Sequence, residues 1–190
     1  MSRAYKISLK QRQKHGLHAS DEVGTTLELL EILPPERMAE LLAQELKRRG
    51  FVQRGDKLLR NEKGGVTIEV DAATAEVTVK VECDKTVTLE AERQTWTEAS
   101  GGSAQNAARK ALKDELQRDL QRQAERQKTE LQKRATDRLE AQLSDLRKEL
   151  DQAVNRVTAE ALKEKAAKLG QIKQINEDAQ TGSLTIVLEV

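Results

Sequence analysis

Aromatic side chains are almost missing: Tyr5, Phe51 and Trp96 are the three in 190 residues. Single-stranded nucleic acid is gripped by rows of stacking platforms, which three scattered rings do not supply. Net charge is also missing. The 33 Lys and Arg are balanced by 32 Asp and Glu, so no global field concentrates polyanions, although sign can still segregate locally. Nucleic acid is therefore not the expected partner. Apolar residues, at 37%, fall short of the ~45–50% of an ordinary globular domain, and charged residues, at 34%, exceed the usual ~25%. Part of the chain is expected to be elongated.

The single cysteine, Cys83, excludes an internal disulfide. It continues the alternating series Val77, Val79, Val81 on the apolar side of a strand, where it reads as a packed thiol needing no oxidising compartment. The opening residues alternate polar and apolar without the apolar core of a secretion signal. No apolar run approaches the ~20 residues that span a bilayer. A cytoplasmic protein with no membrane partner is expected.

Glycine and proline are absent from residues 103 to 169 but punctuate residues 1 to about 95. Tyr5, Ile7 and Leu9 alternate with Lys6, Ser8 and Lys10, which predicts a half-buried strand. A second strand is expected over 25–33, although Leu29-Leu30 and Ile32-Leu33 break the alternation. Pro34-Pro35 then starts a helix, Met38, Leu41, Leu42 and Leu46 give it an apolar face, and Gly50 stops it. Strands over 57–60, 66–70, 76–83 and 86–93 follow, separated by Gly64-Gly65, Asp71 to Thr74 and Asp84-Lys85. Short spacers predict antiparallel neighbours.

The segment 103–169 reads as one helix that would extend roughly 100 Å at 1.5 Å per residue. Leu116, Leu131, Leu146 and Ala161 recur every 15 residues, a period above 3.6 per turn that fails the heptad pattern. Acid-first pairs such as Asp114 with Arg118 and Glu130 with Arg134 add only about 0.2–0.5 kcal/mol each. The stripe therefore needs a surface to lie against: a second copy, another protein, or its own second half.

Residues 171–177 and 183–190 flank Asp178 to Gly182 as a hairpin, which is barely stable alone. The expected fold class is α+β: a small antiparallel sheet covered by one helix, a helical insertion of about 65 residues protruding from it, and a C-terminal hairpin completing the sheet. The expected division is a body over 1–96, a linker over 97–102, a coiled-coil-like arm over 103–169 and the hairpin over 170–190.

Candidate chemistry is sparse. His15 and His18 stand near Asp21 and Glu22 in a metal-like grouping, but Gly16 intervenes and no other histidine exists, so a solvated loop is expected rather than a metal site. Gly64-Gly65 and Gly101-Gly102 lack the Lys and Ser/Thr of a phosphate loop. No carboxylate pair sits in an apolar setting that would split its acidities, so no catalytic residue, cofactor or metal is expected. Arg3, Lys6, Lys10, Arg12 and Lys14 precede the first acid, Asp21, whereas 61–100 holds nine acids and four bases, and 103–169 holds 16 bases and 12 acids.

The order of elements, with Arg48-Arg49-Gly50-Phe51 closing the first helix, Lys165 to Gly170 closing the second, and Leu184-Thr185-Ile186-Val187-Leu188 at the end, resembles small proteins related to the plastid and cyanobacterial ycf-type family. Those occur beside AAA+ ATPases and von Willebrand A-domain proteins in bacterial ternary systems. The resemblance implies an accessory role to an ATPase machine and carries over no catalytic residue.

The expected function is a non-enzymatic adaptor or scaffold that self-associates or docks a protein partner, an AAA+ ATPase being the candidate. Leu116, Leu131, Leu139, Leu146, Leu150 and Val157 on the long helix are the expected partner-binding residues. The alternative is a nucleic-acid-associated protein using the basic N-terminus and helix face.

Overall fold

A computed structural model of the chain describes residues 5–97, 102–178 and 183–189. The elements are β1 (Tyr5–Thr26), α1 (Pro35–Arg48), β2 (Val52–Arg54), β3 (Lys57–Glu62), β4 (Val66–Asp71), β5 (Glu76–Thr97), α2 (Gly102–Leu169), β6 (Gln171–Asp178) and β7 (Ser183–Glu189). The fold is α+β, as expected. One five-stranded antiparallel sheet has the order β1-β5-β4-β3-β2, and β6 and β7 pair with each other in a separate two-stranded sheet. The hairpin forms but does not complete the larger sheet: its ladder runs from Gln171 opposite Glu189 to Asp178 opposite Ser183, with a register shift between Ile172 and Gln174. The expected linker and hairpin turn fall largely on 98–101 and 179–182, outside the described residues.

Two of the strands are far longer than their sequence suggests. β1 runs 22 residues, straight through His15, Gly16 and His18, where a loop was expected. β5 also runs 22 residues, so Asp84-Lys85 sits mid-strand and not in a turn. Residues 27–34 form no strand, consistent with their broken alternation.

Helix α1 starts and stops as its sequence dictates. Pro35 takes the first helical position, where its missing N–H forfeits no bond. At the other end Gly50 adopts φ +86°, its N–H donates to Lys47 O at 3.1 Å and the Phe51 N–H donates to Leu46 O at 3.1 Å. This is a Schellman closure, sealed by the buried pair Phe51 and Leu46.

By compactness the chain divides into two units: unit 1 comprises Met1–Ser20 with Glu82–Ala135, and unit 2 comprises Asp21–Val81 with Thr136–Val190. β1, β5 and α2 contribute residues to both. In unit 1 the core gathers Val87, Leu89 and Leu120, with Leu17, Ala91 and Ala124 packed beside them. In unit 2 the inward series Val66, Ile68, Val70 on β4 and Val77, Val79 on β5 is buried with Met38, Leu42 and Leu46 of α1. Leu146 of α2 shares cavity walls with Val66, Ile68, Val77 and Val79. Both helices therefore cover sheet residues in unit 2, where α1 alone was expected. An apolar sheet face wider than one helix leaves residues that only a second apolar stripe can shield from water.

Candidate interaction site

The six leucine-stripe residues have a partner already: their own chain. Leu116 is 1% exposed, and Leu131, Leu139, Leu146, Leu150 and Val157 are 2–6% exposed, without a second molecule present. A stripe this apolar is satisfied by whichever surface is nearest, and chain connectivity supplies the sheet at far higher local concentration than any partner. The 15-residue repeat Leu116, Leu131, Leu146 and Ala161 is buried at all four positions.

Polar contacts in unit 2 centre on Arg60 of β3. Its guanidinium donates from Nη1 and Nη2 to the two carboxylate oxygens of Glu149 on α2, at 2.6 and 2.7 Å. Nη1 also donates to Arg49 O at 3.0 Å, and the charge stands 4.5 Å from the Phe51 ring centre. Nε lies 2.8 Å from Glu62 Oε1 but out of line for a hydrogen bond, so this buried N–H has no aligned acceptor. Arg49 adds a bond from Nη1 to Glu149 O at 3.2 Å. The Arg60 hydrogen bonds hold the Glu149 carboxyl below its ordinary range, against the opposing effect of burial. Beside this cluster the buried Glu45 carboxylate accepts from Arg49 Nε at 2.8 Å and faces Arg48 at 3.6 Å and Arg156 at 4.0 Å. At the other end of α1, Arg37 Nε donates to Glu164 at 2.9 Å. The pairing of Arg60 with Glu149 and of Arg37 with Glu164 was not singled out from sequence, because the partners lie 89 and 127 positions apart.

A groove of about 700 Å³ in unit 2 lies between Val23 to Glu28 and α2. Its walls are apolar at Val77, Val79, Leu143, Leu146, Leu150 and Val154 and polar at Arg147, Asp151 and Asn155. Val23, on the inward side of β1, is 36% exposed here. The lining offers shape and apolar area, with Thr25, Thr26 and Glu28 on the side opposite α2.

In unit 1 the even positions of β1 face away from α2 and the odd ones toward it, as the exposed Lys6, Lys10, Arg12 and Lys14 and the partly or fully buried Ile7, Leu9, Gln11, Gln13 and His15 show. His15 and His18, three apart on a strand, consequently point to opposite faces. His15 bonds Gln13 at 3.1 Å and His18 bonds Asp84 at 2.8 Å. Among the described residues no group of three His, Cys, Asp or Glu is placed to hold a metal. Cys83 is buried. Across the open face Lys10 and Arg12 share Glu90 at 3.6 and 3.1 Å. On the covered side Lys85 Nζ reaches Gln127 Oε1 at 2.9 Å, a polar stitch where the apolar stripe is thinnest.

A family described as FtsH ternary system domain X5 matches residues 1–190. The chain belongs to this family. No curated protein and no solved structure matches it. The family's description marks its members as components of an FtsH-associated ternary system, where FtsH is an AAA+ protease, and this is compatible with an accessory role and a protein partner in that system. It names no von Willebrand A-domain protein, so that part of the expected association is not carried by membership. No helix among the described residues is long and apolar enough to cross a membrane.

Proposed function

We propose that the chain is a non-enzymatic, cytoplasmic accessory protein that docks an AAA+ ATPase of the FtsH type and presents or regulates it within a ternary assembly. The observation that carries this reading is the family match over residues 1–190. The interior supports it in kind. Arginine–carboxylate pairs and an apolar stripe are spent on joining strands to helices, which suits a rigid presenting scaffold. Leu116, Leu131, Leu139, Leu146, Leu150 and Val157 are covered within the chain, so a partner or second copy that docks through the leucine stripe has to displace that packing.

The test is reconstitution with the FtsH-type protease of the same organism. The purified chain is expected to form a complex in analytical ultracentrifugation at about micromolar concentrations and to change the protease's ATP turnover or its degradation of a model substrate. Two components that sediment independently at about 50 µM, with turnover unaltered, overturn the proposal.

A further inference from the structure

Among the described residues unit 1 has two long open edges, β1 and the part of β5 beyond Val81, where the β4 ladder ends. β1 ends the sheet order, with β5 as its one neighbour. From Tyr5 to Ala19 a row of backbone N–H and C=O groups therefore faces outward without a partner strand among the described residues, while the Ser20 carbonyl accepts from Gln132 of α2 at 2.9 Å. Natural edges are blunted by brevity, proline, bulges or a covering element. β1 is 22 residues long, and both prolines of the chain lie beyond it at 34 and 35. The charged side chains at its exposed even positions from Lys6 to Lys14 are of one sign. Lys6, Lys10, Arg12 and Lys14 share the open face; Glu90 answers Lys10 and Arg12 together, the charges of Lys10 and Lys6 act on Glu92, and Lys14 has no ion pair among the described residues.

We infer that this edge receives an extended acidic segment of a partner protein, added as a sixth strand beside β1 with carboxylates at alternate positions facing Lys6, Lys10, Arg12 and Lys14. Backbone bonds would supply affinity and the alternating charge would supply register and sign. A second copy pairing β1 against β1 sets bases opposite bases, whereas one pairing β1 against the β5 edge beyond Val81 would bring Glu82, Asp84, Glu90 and Glu92. Self-association of the chain alone through residues 5–20 is therefore an outcome that overturns the inference. Nucleic acid would use the same charges but not the outward backbone row. The inference deepens the accessory reading by naming where a partner docks, and its test needs no FtsH-type protein, so the two can fail separately.

The full chain is titrated with a capped peptide of about 12 residues alternating Glu and Thr, followed by fluorescence anisotropy and by amide hydrogen exchange. Binding with new protection confined to residues 5–20 is expected. The same peptide N-methylated at alternate residues, which keeps its charge but cannot pair, is expected to bind at least about tenfold more weakly. The Lys10→Gln/Lys14→Gln variant is expected to weaken binding about fivefold with its melting temperature unchanged. Equal binding of the methylated peptide, protection elsewhere, or no binding at about 1 mM overturns the inference. Tighter binding of an oligothymidylate to residues 5–20 than of the peptide also overturns it, and reassigns the edge to nucleic acid.

Discussion

Arg60 is held from three directions, by Glu149, by the Arg49 carbonyl and by the Phe51 ring. Its value to the fold is best measured by orphaning it. Glu149→Ala removes both bidentate acceptors and leaves a mostly covered guanidinium whose Nε already lacks an aligned one. The expected loss is about 2 kcal/mol in urea denaturation, because an unpaired buried charge keeps its desolvation penalty. Glu130→Ala severs the Arg134 pair, whose members are 57% and 50% exposed, and is expected to change stability by less than about 0.5 kcal/mol. A similar loss in both variants would deny Arg60 its central place. Acid supplies a second readout. Glu149 is more acidic folded than its ordinary value of 4.5, so between the two values the unfolded chain binds more protons. The stabilisation is complete above the ordinary value and drains away as pH falls through the lower, folded one. Glu149→Gln is expected to flatten that part of the stability profile; an unchanged acid slope would place the pH dependence elsewhere.

At the scale of elements, α2 owes its position to shape as well as to apolar area. Ala135, Ala153 and Ala161 are 0% exposed, which marks places where the backbone of α2 lies close to what covers it. Ala153→Leu is expected to destabilise by about 1–3 kcal/mol through overpacking, and Leu146→Ala by about 2–5 kcal/mol through transfer and cavity. Leu131→Glu and Leu146→Glu are expected to lower the melting temperature without altering the mass of the native species in light scattering, because the charge enters the chain's own core. A halved mass with an intact fold would restore the interchain reading. Both helices and β4 were legible from Pro34-Pro35, Gly50, Gly170 and the alternation Val66, Ile68, Val70. β1 beyond Lys10 was not, since Gln11, Gln13 and His15 occupy inward positions and erase the alternation that identifies a strand. Asp84-Lys85 imitated a turn because Lys85 points inward to Gln127, an explanation invisible until α2 is in place. The stripe itself was legible, but a stripe declares that it is covered without declaring by what.

For the whole molecule, the two units have separate balances that sequence order conceals. Unit 1 contains 16 Lys and Arg against 10 Asp and Glu, and unit 2 contains 17 against 22. Each unit is built from two distant stretches, so counting along the chain mixes them and reports a net charge of +1. Their cores are equally distinct in composition: Val87, Leu89 and Leu120 in one, the β4 and β5 valines with Leu42 and Leu46 in the other. Cooperative opening follows shared burial, so a cavity in one core should be felt there first. Leu120→Ala is expected to speed amide exchange across residues 5–20 and 82–135 by about tenfold or more, while β4 amides from Val66 to Asp71 keep their wild-type rates. Leu42→Ala is expected to do the reverse. If either substitution accelerates exchange equally in both sets, the chain opens as one cooperative body and the division by compactness has no energetic counterpart.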